Sequence, residues 1–428
     1  MDIMEKFPPP NYIPVETKLP GFEIYAPAPT KEEDKPIHEF KCPNCGAVTA
    51  YSIVQGGLAC EHCGYKEAVK AEVVGTQAEA LEFSLANLAI AAHGWGDERK
   101  DLRCLSCGAE IAIPADSMAA TCAFCGSNKV IHEVANQQRL RPKFLIPFAI
   151  DNQKCQSIAR EWLGKSWMVP KELRQYASLD SFTPIYLPYW TFHANTSASW
   201  RAEVGHRVSQ RYYDSSSKSW KTRTKIVWRW ESGNAMLTID DLLIAGTERV
   251  SALHLGNIDQ YNLMSIVSYD PAFLAGFQAK AYDRPLETAW ELAREVMREK
   301  TKDACMSQTS TNLVRNFSMK LDFADESWRY LLLPVYLAAY QYEQKTFHAV
   351  VNGQTGAISG QRPVDWTKIW LVIAAILSPG ILAGLLGIIL SMSSEEWMLL
   401  GFVGLFLFVV GIIISITILV KANKEGKA

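Results

Sequence analysis

Two matching motifs, Cys42-Pro-Asn-Cys45-Gly46 and Cys60-Glu-His-Cys63-Gly64, decide the fold of the first part of this chain. Fourteen residues separate Cys45 from Cys60. A C-x-x-C turn directs two thiolates at one point, and the glycine after it lets the backbone tighten around them. Two such turns joined by a short β-hairpin complete a tetrahedral four-sulfur site. The pattern therefore predicts a small β zinc ribbon over residues 38–70.

The same pattern occurs again as Cys104-Leu-Ser-Cys107-Gly108 and Cys122-Ala-Phe-Cys125-Gly126, and it predicts a second zinc ribbon over residues 100–134. Redox C-x-x-C motifs would need a βαβ setting, and disulfides would need an export signal, so both interpretations are weaker than a metal site. Iron in a rubredoxin-like site stays an alternative, because four thiolates also suit iron. We expect two structural Zn²⁺ ions, held by Cys42, Cys45, Cys60 and Cys63 and by Cys104, Cys107, Cys122 and Cys125.

The length of 428 residues favours two to four domains, and the net charge of −2 gives no bulk attraction for a polyanion. Residues 1–37 contain eight prolines, so we expect a disordered Pro-rich arm. Residues 71–99 are expected to form a helical linker, because Thr76 and Glu79 make a capping box ahead of leucines at helical spacing.

Two C-terminal segments, residues 369–390 and 397–420, carry no charged side chain. At 1.5 Å per residue each helix would span about 33–36 Å, which is enough to cross the hydrocarbon core of a bilayer. Only residues 391–396 separate the segments, so the sequence predicts a C-terminal two-helix transmembrane hairpin. A buried helical hairpin in a soluble core is the alternative.

The charges that flank the two segments predict their orientation. Arg362 and Lys368 precede the first segment and three lysines follow the second, whereas the connecting loop carries Glu395 and Glu396. The positive-inside rule then places both termini and the whole body in the cytoplasm. A reducing cytoplasm also keeps zinc thiolates intact.

Residues 140–365 predict an α+β domain with an internal duplication. Each half, at about 140–265 and 266–365, shows a strand, a helix, a returning apolar strand and a further strand. The returning strands both contain a proline after a leucine, as Leu187-Pro188 and Leu333-Pro334. Few other identities support this β-α-β-β duplication.

A hairpin rich in basic and aromatic residues lies in the first half. Eight Lys or Arg and two acids lie from Arg201 to Arg229, and on the second strand the bases alternate with threonine, isoleucine and tryptophan residues. Period two places bases and aromatics on opposite faces. A solvated face is the ordinary interpretation, and an anionic partner, either lipid headgroups or nucleic acid, is the functional one. The candidate face comprises Arg201, Arg207, Arg211, Lys221, Arg223, Lys225 and Arg229.

The sequence contains none of the common catalytic motifs, such as HExxH, GxSxG or a P-loop, and we expect no enzyme. Zinc ribbons also occur in nucleic-acid machinery, but phosphate binding needs several bases on one face. The charges of residues 38–70 cancel, and residues 100–141 balance to about +1. Protein-docking modules are therefore favoured, and a membrane-tethered nucleic-acid-binding protein of replication or transcription is the alternative.

The cysteine motifs combine with three further segments to resemble the bacterial TFIIB-type zinc-ribbon membrane proteins, a YdjG-like family. These segments are Tyr186-Leu-Pro-Tyr-Trp-Thr-Phe192, Tyr269-Asp-Pro-Ala-Phe-Leu-Ala-Gly-Phe277 and Val351-Asn-Gly-Gln-Thr-Gly356. The resemblance covers about residues 40–368. Such proteins are often labelled as primosomal helicase (PriA) fragments, although this chain has no helicase motif.

That resemblance implies a membrane adaptor at the inner face of the bacterial cytoplasmic membrane, in envelope stress or membrane organisation. It implies an SPFH (flotillin-like) partner and a phage-shock protein A-like partner. It also implies that the eight motif cysteines bind zinc. From the residues themselves, we expect that loss of one thiolate unfolds the affected ribbon locally, because metal binding supplies its folding free energy.

Overall fold

The chain forms two units, Met1–Glu39 and Phe40–Ala428. In the first unit, β1 (Tyr12–Val15) pairs antiparallel with β2 (Ile24–Pro27), a pairing that the arm's composition does not predict. The rest of residues 1–37 lies outside the described part of the chain. The computed structural model describes residues 12–15, 24–27, 40–69, 72–78, 80–82, 99–114, 122–124, 127, 129–134, 140–170, 182–248, 250, 252–342, 345–391 and 397–427.

Residues 40–69 form a first cysteine module around a three-stranded antiparallel sheet. A side chain at Gly57 would overlap the carbonyl oxygen of Glu67, so this glycine permits two neighbouring strands to approach closely. The short hairpin between the two cysteine turns is the one expected from their spacing. Its strands are β3 (Ala50–Ser52), β4 (Gly57–Ala59) and β5 (Lys66–Ala68).

Residues 99–134 contain a second cysteine module that is part of the main sheet of the body. Its central strand pairs antiparallel with both others. One edge continues into the body, because Ala112 pairs with Ala279. The described strands of the main sheet number twelve, and they include those of this module. The module's strands are β7 (Arg99–Cys104), β8 (Glu110–Pro114) and β9 (Val130–Val134).

The described part of the linker is not helical where a helix is predicted to begin. Residues Gly75–Gln77 form a single 3₁₀ turn, and β6 (Leu81–Glu82) pairs with Ser327–Trp328. The Arg329 guanidinium donates to the carbonyl oxygens of Thr76 and Ala78 at 3.0 and 2.8 Å. These long-range contacts override the local helical propensity. The predicted helix is wrong at this end, and residues 83–98 lie outside the described part.

Two long antiparallel strands, β11 (Thr183–Asp214) and β15 (Val314–Tyr342), form the centre of the body, with Leu187 opposite Leu333. Beside them, β10 (Phe144–Leu145) pairs parallel with β15, and β14 (Gln278–Ala279) pairs parallel with β11. The short strand of each half thus pairs with the long strand of the other half. Each long strand is followed by an antiparallel partner, which is β12 (Ser219–Ala245) or β16 (Lys345–Asn352).

Two amphipathic helices cover the sheet, one in each half. The first begins after Asp151, whose carboxylate accepts a hydrogen bond from the Lys154 N–H at 2.7 Å. The second begins after Pro285. They are α1 (Asn152–Gly164) and α3 (Leu286–Ser307). The remaining short elements are α2 (Ala252–Gly256), β13 (Val267–Ser268), β17 (Ile358–Gly360) and 3₁₀ turns at Leu263–Ser265 and Pro271–Leu274.

Two apolar helices end the chain, and each contains a 25-residue segment long and apolar enough to cross a membrane. A Cβ atom on Gly387 would overlap the backbone nitrogen of Gly401, and one on Gly404 would overlap that of Gly384. These glycines let the two helix backbones pack closely, as small residues do in membrane helices. The helices are α4 (Trp366–Ser391) and α5 (Met398–Lys427).

The base of this apolar hairpin is fixed to the body. Met168 packs in one buried cluster with Ile369 and Ala422. The Ser166 hydroxyl donates to the Glu425 carboxylate at 2.6 Å. The body and the two apolar helices are therefore joined through packed side chains as well as through the chain itself.

Candidate metal centres and the basic ribbon

The first cysteine cluster brings together sulfur atoms from two backbone turns. The Sγ atoms of Cys42 and Cys63 lie 3.3 Å apart, and those of Cys45 and Cys60 lie 3.6 Å apart. All four sulfurs lie within 4.8 Å of one another. Cys42 and Cys60 are buried, whereas Cys45 and Cys63 are exposed. The four residues singled out by the sequence are thus positioned to hold a metal ion.

The glycine after each cysteine pair closes its turn. Gly46 and Gly64 have φ angles of 71° and 74° and donate their N–H groups to the carbonyls of Cys42 and Cys60, at 2.8 and 3.0 Å. Glycine adopts this left-handed conformation without strain. The backbone N–H of Cys63 is the largest influence on the Cys60 thiol and helps to lower the pKa of Cys60 to about 7. The turn thereby favours the thiolate at Cys60, which is the form that binds metal. The pKa of Cys63 is raised despite the Tyr65 backbone N–H, chiefly by the Cys42 side chain.

The donor set fits a tetrahedral ion such as Zn²⁺. A Zn–S bond of about 2.3 Å implies sulfurs about 3.8 Å apart. The two cross-turn distances of 3.3 and 3.6 Å are close to that value. Iron accepts the same geometry. Four protein sulfurs would complete the coordination shell, and a closed shell is typical of a structural site.

The second cluster repeats this arrangement with three described cysteines. The sulfurs of Cys104, Cys107 and Cys122 lie within 4.8 Å of one another, and those of Cys107 and Cys122 are 3.7 Å apart. Gly108, with a φ of 68°, donates to the Cys104 carbonyl at 2.8 Å. Cys125, the predicted fourth ligand, lies outside the described residues. The three described cysteines are positioned to hold a metal ion.

The second cluster is embedded in the core of the body. Cys104 and Cys122 belong to the same buried apolar cluster as Ile185 of β11 and Leu331 of β15. Its neighbours Leu102, Ile111 and Ile113 are all fully buried there. A metal bound at this position would therefore stabilise the junction between the second module and the main sheet.

The first cluster reaches the body through a smaller contact. The Tyr51 N–H donates to the Ala275 carbonyl at 3.0 Å. The Tyr51 ring lies 5.1 Å from that of Phe273 and 6.3 Å from that of Phe277. Several side chains of the first module are only partly buried against this core, namely Phe40, Ile53, Leu58 and Val69. The first module is therefore seated on the surface of the body.

Five of the seven candidate basic residues lie on a long two-stranded extension of β11 and β12, Arg229 lies at its base, and Arg201 lies where β15 still pairs with β11. β15, which pairs with β11 on the side away from β12, begins at Val314, opposite Val204. Residues 205–228 of β11 and β12 therefore project beyond β15. We call residues 205–229 the β-ribbon, with Arg229 at its base opposite Val204. The turn at its tip includes Ser215–Ser217, as predicted.

The seven basic residues do not share one face. On β12, Lys221, Arg223, Lys225 and Arg229 alternate as predicted and share a face. Arg201, Arg207 and Arg211 pair with Ser232, Ile226 and Thr222, which puts them on the opposite face beside the aromatic residues of β12. The single seven-residue face therefore has to be divided, because the register between strands cannot be read from either strand alone.

The fold and clusters define an α+β protein with two cysteine clusters able to hold metal ions and two C-terminal apolar helices. The chain is 27% identical over 334 residues to the uncharacterized protein YdjG of Bacillus subtilis (strain 168). The aligned region covers 78% of this chain and 92% of YdjG. No protein-family model matches the chain. No solved structure matches it either. This similarity is consistent with a YdjG-like family and extends over most of both proteins.

Proposed function

We propose that this protein is a membrane-anchored adaptor that holds cytoplasmic protein partners at the inner face of a bacterial membrane. The observation that carries the proposal is the packed joint between the body and the apolar hairpin, where Met168 shares one buried cluster with Ile369 and Ala422. A body fixed in this way to two membrane-length helices would position anything bound to it close to the bilayer. Its role is binding, without catalysis of its own.

In this proposal each cysteine cluster is a zinc ribbon with one structural Zn²⁺ ion, and Cys125 is the fourth ligand of the second. The closed sulfur set of the first cluster and the matching turn of the second support this assignment. Both modules expose apolar side chains that are available to a protein partner. Val54 of the first module is 79% exposed, and Leu105 of the second is 63% exposed.

The proposed orientation puts the body and both termini in the cytoplasm. Arg362 lies before the first apolar helix and Lys368 lies in its first turn, and Lys421, Lys424 and Lys427 lie at the end of the second. The connecting loop carries acidic residues and no bases. This distribution supports a cytoplasmic body under the positive-inside rule. SPFH-like and phage-shock protein A-like partners, which the sequence resemblance implies, belong to the same proposal.

We also propose that the body arose by internal duplication. Phe144 pairs with Leu331, and Gln278 pairs with Ile185, so the two short strands occupy equivalent places beside the two long ones. Leu187 and Leu333, the matched leucines before proline, lie directly opposite each other at the centre. This arrangement is the one that a pseudo-two-fold axis through the centre would generate.

The adaptor role can be tested with surface variants of the full-length protein. Cys42→Ser removes a metal ligand, Val54→Asp adds a charge to the exposed surface of the first module, and Val73→Asp adds the same charge at an exposed position outside the modules. Proteins that co-purify from detergent extracts would be quantified by mass spectrometry. We expect Cys42→Ser and Val54→Asp to lose partners that Val73→Asp retains, with all three proteins in the membrane fraction. An unchanged partner set would contradict recruitment by the module.

A further inference from the structure

The β-ribbon is the most basic part of the chain. Residues 205–229 contain seven Lys or Arg and one acid, Asp214. The net charge of the whole chain is −2, so the remainder of the chain is net negative. Charge concentrated in this way on a projecting element favours an acidic partner at that element.

The two faces of the β-ribbon differ in composition. One face, here called the aromatic face, is formed by Arg207, Arg211, Tyr213, Trp220, Ile226 and Trp228. The rings of Tyr213 and Trp220 lie 5.6 Å apart near the tip. A Cβ atom on Gly205 would come within about 3 Å of side-chain atoms of Ile226 and Trp228, so these side chains lie over the glycine. The opposite face, here called the basic face, is formed by Val208, Gln210, Tyr212, Lys221, Arg223, Lys225 and Arg229.

Two of the four cations of the basic face are engaged within the ribbon itself. Lys221 forms an ion pair with Asp214. The Arg223 guanidinium donates to the Gln210 side chain at 3.1 and 3.3 Å and lies 5.4 Å from the Tyr212 ring. These contacts hold two of the four bases of this face close to the ribbon. Asp214 offsets the charge of Lys221, and the contacts with Gln210 and Tyr212 occupy donors of the Arg223 guanidinium.

The aromatic face combines free arginines with exposed rings. Arg207 and Arg211 make no ion pair within the described part of the chain. Trp220 is 66% exposed, and Tyr213 is 53% exposed. Nearer the body, the Arg315 guanidinium lies 4.1 Å from the Trp228 ring, and this contact fixes the tryptophan in place. A preformed surface of this kind loses little conformational entropy on binding.

We propose that the aromatic face of the β-ribbon is a docking surface for an acidic protein. The inference rests on the proposed adaptor function and deepens it by naming a surface and the chemistry of its partner. The few residues that dominate binding free energy at protein interfaces are enriched in tryptophan, tyrosine and arginine. Arginine also pairs carboxylates in a bidentate geometry, so Arg207 and Arg211 would select acidic side chains.

The tip of the β-ribbon lies far along β11 from the membrane anchor. The apolar hairpin follows β17, which is linked through β16 and β15 to β11 near Ile185. The tip of the ribbon is at Asp214, 29 residues further along the same strand. At about 3.3 Å per residue this is a path of roughly 95 Å along the strand. The docking surface is therefore at the far end of β11 from the membrane anchor.

Two double variants with the same charge change would test the assignment. Arg207→Glu with Arg211→Glu alters the aromatic face, and Lys225→Glu with Arg229→Glu alters the basic face. The full-length protein in detergent would be titrated into a fluorescein-labelled peptide of alternating glutamate and leucine, read by fluorescence anisotropy. We expect about tenfold or greater loss of affinity for the aromatic-face variant, because two charge-assisted pairs are lost, and a much smaller loss for the basic-face variant.

Equal losses in the two variants would overturn the proposal, because bulk charge would then explain the binding. Tighter binding of a single-stranded oligonucleotide of similar length, weakened by both variants alike, would assign the ribbon to nucleic acid and also overturn it. Trp220→Ser should weaken peptide binding without a change of charge, and unchanged binding in that variant would contradict the role of the rings. If the aromatic-face variant keeps every protein that co-purifies with the wild type while Val54→Asp loses some, the ribbon assignment fails while the adaptor function stands.

Discussion

Loss of the metal ligands should have different consequences in the two cysteine modules, because the modules are seated differently on the body. Leu102, Ile111 and Ile113 of the second module are each at most 1% exposed, and they share one core with Ile185 and Leu331. The β8 strand of this module also pairs with β14 of the body. Cys104→Ser would weaken the metal site that holds these residues in place.

The structure sets the size of the expected effect. Full burial of a branched aliphatic side chain contributes about 1.5–3 kcal/mol, so the three side chains together contribute roughly 5–9 kcal/mol. That is comparable to the whole unfolding free energy of a typical domain, about 5–15 kcal/mol. The first module inserts one well-buried ring, Tyr51, into the body core, which corresponds to about 2–3 kcal/mol. Cys42→Ser should therefore be local in effect, and Cys104→Ser should loosen the body.

Hydrogen–deuterium exchange of the full-length protein in detergent, read by mass spectrometry, can separate these outcomes. Peptides from the body that cover residues 185–192 and 278–282 should lose protection in Cys104→Ser. In Cys42→Ser the loss should be confined to residues 40–69. Wild-type protection of residues 185–192 in Cys104→Ser would refute this account, and so would an equal loss in both variants.

Three further predictions follow from the described contacts. Gly387→Ala should lower the stability of the apolar hairpin by about 1–3 kcal/mol, because its Cβ would overlap the opposite helix. Gly401→Ala should be tolerated, because its Cβ meets no atom within 4 Å. Protease resistance in detergent would compare the two variants. Arg329→Met should lower the free energy of unfolding by about 3–5 kcal/mol in urea titrations, because it leaves Asp241 without its ion-pair partner, and addition of Asp241→Asn should recover part of the loss. Ser393→Cys in the hairpin loop should react with an impermeant maleimide from outside intact cells, and labelling only after lysis would contradict the proposed orientation.

The cysteine clusters could be predicted from sequence because their geometry is local. Each C-x-x-C-G turn fixes its own two sulfurs, and the glycine requirement is visible in the motif itself. Gly46, Gly64 and Gly108 all have the positive φ that this reasoning requires. The two apolar helices could also be predicted from sequence, because length and lack of charge are properties of a single segment.

The features that the sequence did not predict depend on contacts between distant segments. Ala112 and Ala279, which join the second module to the body, are far apart in sequence, and neither has a distinctive neighbourhood. The local sequence at Thr76 predicts a helix start, and it gives no sign that Arg329 donates hydrogen bonds to the carbonyl oxygens of Thr76 and Ala78. The prediction that the bases of β12 share one face was correct, but the face on which Arg207 lies depends on the register between β11 and β12.

Metal analysis of the purified full-length protein tests the central claim most directly. We expect two zinc ions per chain, and one in either Cys42→Ser or Cys104→Ser, because each cluster would hold one ion on its own set of thiolates. One ion or none in the wild-type protein would contradict the account of two metal-stabilised modules. Iron in place of zinc would keep the two sites and contradict their assignment as zinc ribbons.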